Sequence, residues 1–306
     1  MGCVLTPAPT RTVPRSAEAL LAGVVDYAGL FPPAALDMAP AVDEYAAALD
    51  GPAAWMLGRF VLPASRLPEL SRALAARAVP AAPWRTSAIV ASGSADLAAI
   101  ADFNGRHARR DAVVDAVESK PRRIEEIDQL SADAGAAFEV YVEVDPADRS
   151  AWLERIAARG LRAKIRTGGT TAAAFPAPDA VVAFLAAAVH ARVPFKATAG
   201  LHHAVRGAYR LTYDAGAAES PMYGYLNVLF ATAALAMGLS TARAEDILLR
   251  TDGSSIVFSD EEVRWDDLAF PTTLLRRTRV ELLAGFGSCS FREPVDEFES
   301  LIHSSR

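Results

Sequence analysis

The chain is expected to fold as a (β/α)8 barrel, and three observations predict it. Short apolar runs alternate with helical stretches from Arg59 to Thr198, the rhythm of parallel strands joined by helical crossovers. The chain has 306 residues, 52% of them hydrophobic, which is enough for one large core. Three successive strands place charged residues on one face and apolar residues on the other. Strands of a parallel sheet covered on both sides read instead as continuous apolar runs. A closed barrel of this length accommodates the alternation. An open doubly wound sheet is the alternative fold.

In order, residues 1 to about 15 are rich in proline and threonine and are expected to be ill-ordered. Leu20 to Pro33 ends in a stiff aromatic–proline loop. A helix follows over Ala39–Leu49, with Pro40 in its first turn and Gly51 beyond its end. Residues 1–54 read as an N-terminal extension packing on the barrel, and 55–306 as the barrel in a single domain. Strands are expected at 59–62, 87–91, 112–117, 138–144, 161–166 and 195–198. Helices are expected at about 66–77, 95–107, 124–133, 149–159 and 178–191. The last two strands are assigned to Ser255–Phe258 and Phe286–Phe291. By this count the strand of Lys164 is the fifth and that of Lys196 the sixth. The polar segment from His203 to Tyr223 is long enough to be a binding loop or lid.

Composition excludes several classes. Net charge is −6, from 31 basic and 37 acidic residues spread along the chain, so the footprint of a nucleic-acid binder is missing. Cys3 and Cys289 are too few for a disulfide framework. The most apolar segment, Leu226 to Leu239, is too short to span a bilayer. A cytoplasmic protein without membrane or nucleic-acid partners is expected, acting on a small, anionic molecule. Homo-oligomerisation is left open.

The alternation locates the candidate site. Phe138, Val140, Val142 and Val144 share one strand face, while Glu139, Tyr141, Glu143 and Asp145 share the other. Arg162, Lys164 and Arg166 oppose Leu161, Ala163 and Ile165. Lys196 and Thr198 oppose Phe195 and Ala197. The apolar sets must face the helices, so the charged sets point into the barrel. Buried charges are costly unless paired or functional. A structural ion network of Glu139, Glu143, Arg162 and Lys164 is one reading of them. A catalytic centre at the carboxyl ends of the strands is the other.

Lys196, flanked by Phe195 and Ala197, is expected to be desolvated and neutral, with Lys164 pushing the same way. A neutral amine can form a Schiff base with a carbonyl. Glu143 or Asp115 could then move protons, and His202 could assist. Arg166, Thr167, Gly168 and Gly169 read as an anion cradle, with a tight glycine turn as the alternative. Asp26, Thr198, His203, Asn227 and Ser288 complete the expected substrate-binding set. No cofactor is required by this scheme. The alternative is a divalent metal held by His202, His203 and Glu143 in a lyase, isomerase or hydrolase. A non-catalytic binding barrel is the third reading. Cys289 lacks a histidine neighbour in sequence that would make it a nucleophile.

The segments Lys164-Ile165-Arg166-Thr167-Gly168-Gly169 and Phe195-Lys196-Ala197-Thr198-Ala199-Gly200-Leu201-His202-His203 resemble the signature of an uncharacterised bacterial family, which implies no function. Lys196-Ala197-Thr198-Ala199-Gly200 is also similar to class I aldolases of the deoxyribose-phosphate aldolase type. That resemblance implies a Schiff-base lysine on the sixth barrel strand and a further lysine on the seventh. No lysine follows Lys196, so on this strand count the second lysine must be Lys164.

Overall fold

The structure, a computed structural model, describes residues 13–91, 93–144 and 149–304. Cys3 and Asp145 lie outside the described residues, as does most of the N-terminal stretch expected to be ill-ordered. Eight parallel strands close a barrel: β1 (Val25–Tyr27), β2 (Leu57–Pro63), β3 (Trp84–Val90), β4 (Ala112–Ser119), β5 (Glu139–Glu143), β6 (Arg162–Arg166), β7 (Phe195–Thr198) and a last strand, Leu283–Ser288. The last strand pairs with both β7 and β1, so the sheet has no edge and the open-sheet alternative fails.

After α1 (Arg15–Leu21), the crossovers are α2 (Met38–Leu49), α3 (Leu67–Ala75), α4 (Ser94–His107), α5 (Glu126–Ala134), α6 (Arg149–Ala158) and α7 (Pro178–Ala191). The stretch 172–191 is apolar and long enough to cross a membrane by composition alone. Here it carries the crossover between β6 and β7, where Val181, Val182, Phe184, Leu185 and Ala188 are buried.

The connection from β7 to the last strand is the longest. It begins with a hairpin of β8 (Gly207–Arg210) and β9 (Glu219–Met222). It continues through α8 (Tyr225–Ala236) and α9 (Thr241–Leu249) into an antiparallel sheet of β10 (Ile256–Phe258), β11 (Glu262–Trp265) and β12 (Leu268–Pro271). Phe230 of α8 packs on Trp265 and Phe270 of that sheet. Then α10 (Thr272–Glu281) leads to the last strand, β13, and α11 (Arg292–Ser304) closes the chain.

Two expectations are corrected here. Val25–Tyr27 is the first barrel strand, not part of an extension, and Ile256–Phe258 belongs to the excursion sheet. Each error traces to length. A three-residue strand such as β1 is too short to show alternation, and the antiparallel β10 reads locally like a barrel strand. With β1 counted, Lys164 lies on the sixth strand and Lys196 on the seventh. The barrel therefore begins before residue 54.

The alternation itself holds. Val140, Val142, Ala163, Ile165, Phe195 and Ala197 pack in the hydrophobic core. Lys164 and Lys196 are direct register partners across β6 and β7, and Glu143 is the partner of Lys164 across β5 and β6.

Candidate active site

The barrel interior holds two charge clusters. Near the amino-terminal ends of the strands, Arg59 Nε lies 2.6 Å from Asp115 Oδ1, and Arg59 Nη2 lies 3.1 Å from Glu139. Arg85 joins Asp115 at 2.7 Å, and Arg162 reaches Glu139 at 3.6 Å. Tyr141 connects this group to the next. Its hydroxyl donates to Glu139 at 3.0 Å, and its ring centroid lies 4.9 Å from Lys196 Nζ.

The second cluster is deeper. Lys196 Nζ donates to Asp26 Oδ2 at 2.9 Å and also contacts Glu118. Lys164 Nζ lies 3.1 Å from Glu118 Oε2 and 2.7 Å from Glu143 Oε2. Lys120 holds the other oxygen of Glu143 at 3.0 Å. Ser87 Oγ donates to Glu118 at 2.8 Å. Glu118 is thus shared by both lysines at 1% exposure, and every ammonium has a carboxylate.

Lys196 and Asp26 stand on β7 and β1, with β13 between them. Their register partners on β13 are Gly285 and Gly287. The lysine reaches across the intervening strand.

The charge states follow from this packing. Burial opposes ionisation of Lys196, but Asp26 and Glu118 outweigh it and raise its pKa above the ordinary lysine value. The expectation of a neutral Lys196 is therefore corrected: desolvation is real, but two carboxylates dominate it. Burial likewise opposes the charge on Glu118, and Lys196 and Lys164 outweigh it, so Glu118 is held well below the usual carboxylate range. Glu143 is lowered for the same reason, with Lys164 as the main counter-charge to its desolvation.

A cavity of about 380 Å³ opens above this cluster. Lys164, Lys196 and Glu118 form its floor. Thr198, Ala199, Gly200, His202 and Cys289 form one wall, and Phe31, Pro32 and Pro33 another. Arg210, Leu211, Thr212, Tyr213 and Met222, in and around the β8–β9 hairpin, lie over it. The segment 203–223 thus contributes several residues to the cavity lining, and the 28–33 segment lines the same opening.

His202 is buried in the wall. Its Nδ1 lies 3.2 Å from Ser288 Oγ and 3.3 Å from Glu293, and Cys289 Sγ is 3.7 Å away. Burial opposes the imidazolium, but hydrogen bonds with Cys289 and Glu293 outweigh it and push the pKa up to about 9. Cys289 thus has a histidine neighbour, which chain order conceals.

Other expected site residues are placed elsewhere. Asn227 is fully buried and structural. Its Nδ2 donates to the carbonyls of Ile247 and Arg250, and its Oδ1 accepts from Arg206 N. Thr167 Oγ1 donates to Ala199 O at 2.8 Å, stapling the ends of β6 and β7. At Gly168 a Cβ would lie 2.5 Å from the Phe175 ring, and at Gly200 2.8 Å. Gly168 is therefore a close-packing position; Gly169 and Arg166 do line the cavity. Glu143 is behind Lys164, not on the cavity wall. Asp115 belongs to the lower cluster, and Ser288 acts on His202.

His203 donates from Nδ1 to Glu297, 2.6 Å away, and stacks on Tyr209. The residues of the metal alternative are not brought together, because His202, His203 and Glu143 turn to Glu293, Glu297 and Lys164. Among the described residues no group of three His, Cys, Asp or Glu is arranged to hold a metal ion.

Glu118 and Ser87 were not anticipated. The strand expected at 112–117 stops one residue short of Glu118. A register shift opposite Thr86 and Ser87 also interrupts the alternation of β4 around Asp115, which hides its inward residues. Comparison of the chain with protein-family models, curated proteins and solved structures gives no match.

Proposed function

We propose that this protein is a lyase of aldolase type that acts on a small anionic carbonyl compound through a lysine Schiff base. One observation carries the reading. Two lysines on adjacent strands share one buried carboxylate at the floor of the cavity. Structural ion pairs have no need of a cavity, and the residues of the lower cluster do not line this one.

The roles of the two lysines follow from their surroundings. Lys196 is enclosed by Asp26, Glu118 and the Tyr141 ring, and these keep it charged. Lys164, whose side chain is 7% exposed against 2% for Lys196, is then the nucleophile and Lys196 its fixed positive neighbour, the reverse of the assignment expected from the sequence. The strand count agrees. A lysine on the sixth strand and another on the seventh is the arrangement implied by the resemblance to class I aldolases.

In this scheme the Lys164 ammonium gives one proton to Glu118 or Glu143, and the free amine adds to the substrate carbonyl carbon. The carbinolamine oxygen leaves as water, taking protons through the same carboxylates. The protonated imine then accepts the electron pair of the bond between its α and β carbons as a carboxylate takes the proton of the substrate's β-hydroxyl group. An aldehyde departs, and the enamine left behind is reprotonated and hydrolysed to free Lys164. The Lys196 charge favours the electron-rich intermediate.

A second reading rests on Lys196 alone. A permanently charged ammonium can polarise a carbonyl oxygen and stabilise an enolate without any covalent bond. Borohydride reduction separates the two. The protein is incubated with small aldehydes and keto acids, reduced, digested and weighed. An adduct on Lys164, absent from Lys164→Ala, supports the imine. An adduct on Lys196 restores the sequence-based assignment of roles. No adduct with any member of the panel overturns the Schiff base in favour of the non-covalent enolate.

A further inference from the structure

The cations of the cavity differ in one respect. Lys164 and Lys196 are held by carboxylates, and His202 faces Glu293. Arg166 and Arg210 also line the cavity and are exposed. Among the described residues neither guanidinium has a hydrogen-bonding or ion-pair partner. Arg166 ends β6 on the barrel, whereas Arg210 comes from the β8–β9 hairpin above it. Two unpaired guanidinium groups on one cavity, from separate elements, make a site for an oxyanion.

The turn after β6 cannot serve that purpose through its first glycine. Gly168 and Gly200 both pack against the Phe175 ring, so their Cα faces are occupied by an aromatic side chain. Side-chain guanidinium groups therefore replace a backbone cradle.

We infer that Arg166 and Arg210 together bind a terminal carboxylate or phosphate of the substrate, at the opposite end from its carbonyl. This rests on the lysine reading for the position of the carbonyl, though the anion site stands without it. Arg166 lies two residues beyond Lys164 on one strand and faces the same interior. Two residues advance a strand by roughly 6.6 Å, so one interior layer separates the anion site from the amine. The substrate must span that layer. A four-carbon semialdehyde acid can. Glyoxylate, whose carboxylate adjoins its carbonyl, cannot.

The test uses the full chain, Arg166→Gln and Arg210→Gln. Binding of inorganic phosphate and of succinate is measured by calorimetry. Borohydride trapping of succinic semialdehyde is compared with that of propanal and glyoxylate. Each substitution is expected to weaken binding of at least one anion tenfold or more, and the anion affected identifies the group recognised. Trapping of the semialdehyde is expected to exceed that of glyoxylate and to fall tenfold relative to propanal in both variants. Anion affinity unchanged in both variants overturns the inference. Failure to trap any aldehyde, with anion binding still lost in the variants, sinks the Schiff base and leaves the anion site standing.

Discussion

The lower and upper charge clusters of this barrel both pair cations with carboxylates and share strands β3 to β6, yet they differ in three ways. The lower one pairs arginines with Asp115 and Glu139, whose side chains remain 27% and 35% exposed. The upper one pairs lysines with Asp26, Glu118 and Glu143, all under 9% exposed. The upper one alone forms the floor of the cavity described here. Arginine keeps its charge in nearly any surroundings and matches carboxylates geometrically, so it suits a fixed plug. Lysine can give up a proton and attack carbon, so its use at the cavity is a chemical choice. Charge inside a barrel is thus no sign of a site until its residue type and its opening are known.

The largest expected effect sets one cluster against the other. Lys196→Met leaves Asp26 and half of Glu118 without their counter-charge, and should destabilise the fold by about 3–5 kcal/mol. Arg59→Met should cost less, since Asp115 keeps Arg85, Glu139 keeps Arg162 and both acids are partly solvated. Imine trapping on Lys164 should weaken only in the first. Urea denaturation and borohydride trapping on both variants check this, and loss of trapping in Arg59→Met would erase the distinction drawn between the clusters.

Glu118→Gln sharpens the comparison from the upper side. It keeps the shape of the shared carboxylate and removes its proton-accepting role. Imine formation should slow by about 10²-fold, within the range for a general acid–base group. A rate equal to that of the unmodified protein would move the role to Glu143.

The smallest effect concerns pH. His202 has a folded pKa of about 9, above its ordinary 6.5. Its imidazolium therefore contributes stability that is fully present below about pH 6.5 and is lost as pH rises through about 9. The cavity loses one positive charge over the same interval, beside Glu293, Cys289 and Ser288. Phosphate affinity should fall roughly fivefold between pH 7 and pH 10, the equivalent of about 1 kcal/mol. In His202→Gln the fall should disappear. A wild-type affinity flat across this range would refute the charged imidazolium.

The barrel, its crossover helices and the inward direction of Lys164 and Lys196 were all legible in the chain. Alternation of period two and helical spacing are local properties, so they survive in one dimension. The strand count was not legible, because β1 is three residues long and β10 imitates a barrel strand. The identity of the shared acid was hidden by the irregular register of β4. Asn227 and Thr167 looked like site residues because a polar side chain among apolar neighbours has two explanations, and only their hydrogen-bond partners separate them.

From the sequence alone come the fold class, the two lysines and their common face, since each depends on residues a few positions apart. Tertiary structure decides the rest. Glu118 comes between Lys164 and Lys196 from a strand far away in the chain. Asp26 reaches Lys196 across the last strand, and those two carboxylates set the charge that desolvation alone would have removed. Electrostatic energy depends on distance in space and on burial, and neither quantity is written in chain order.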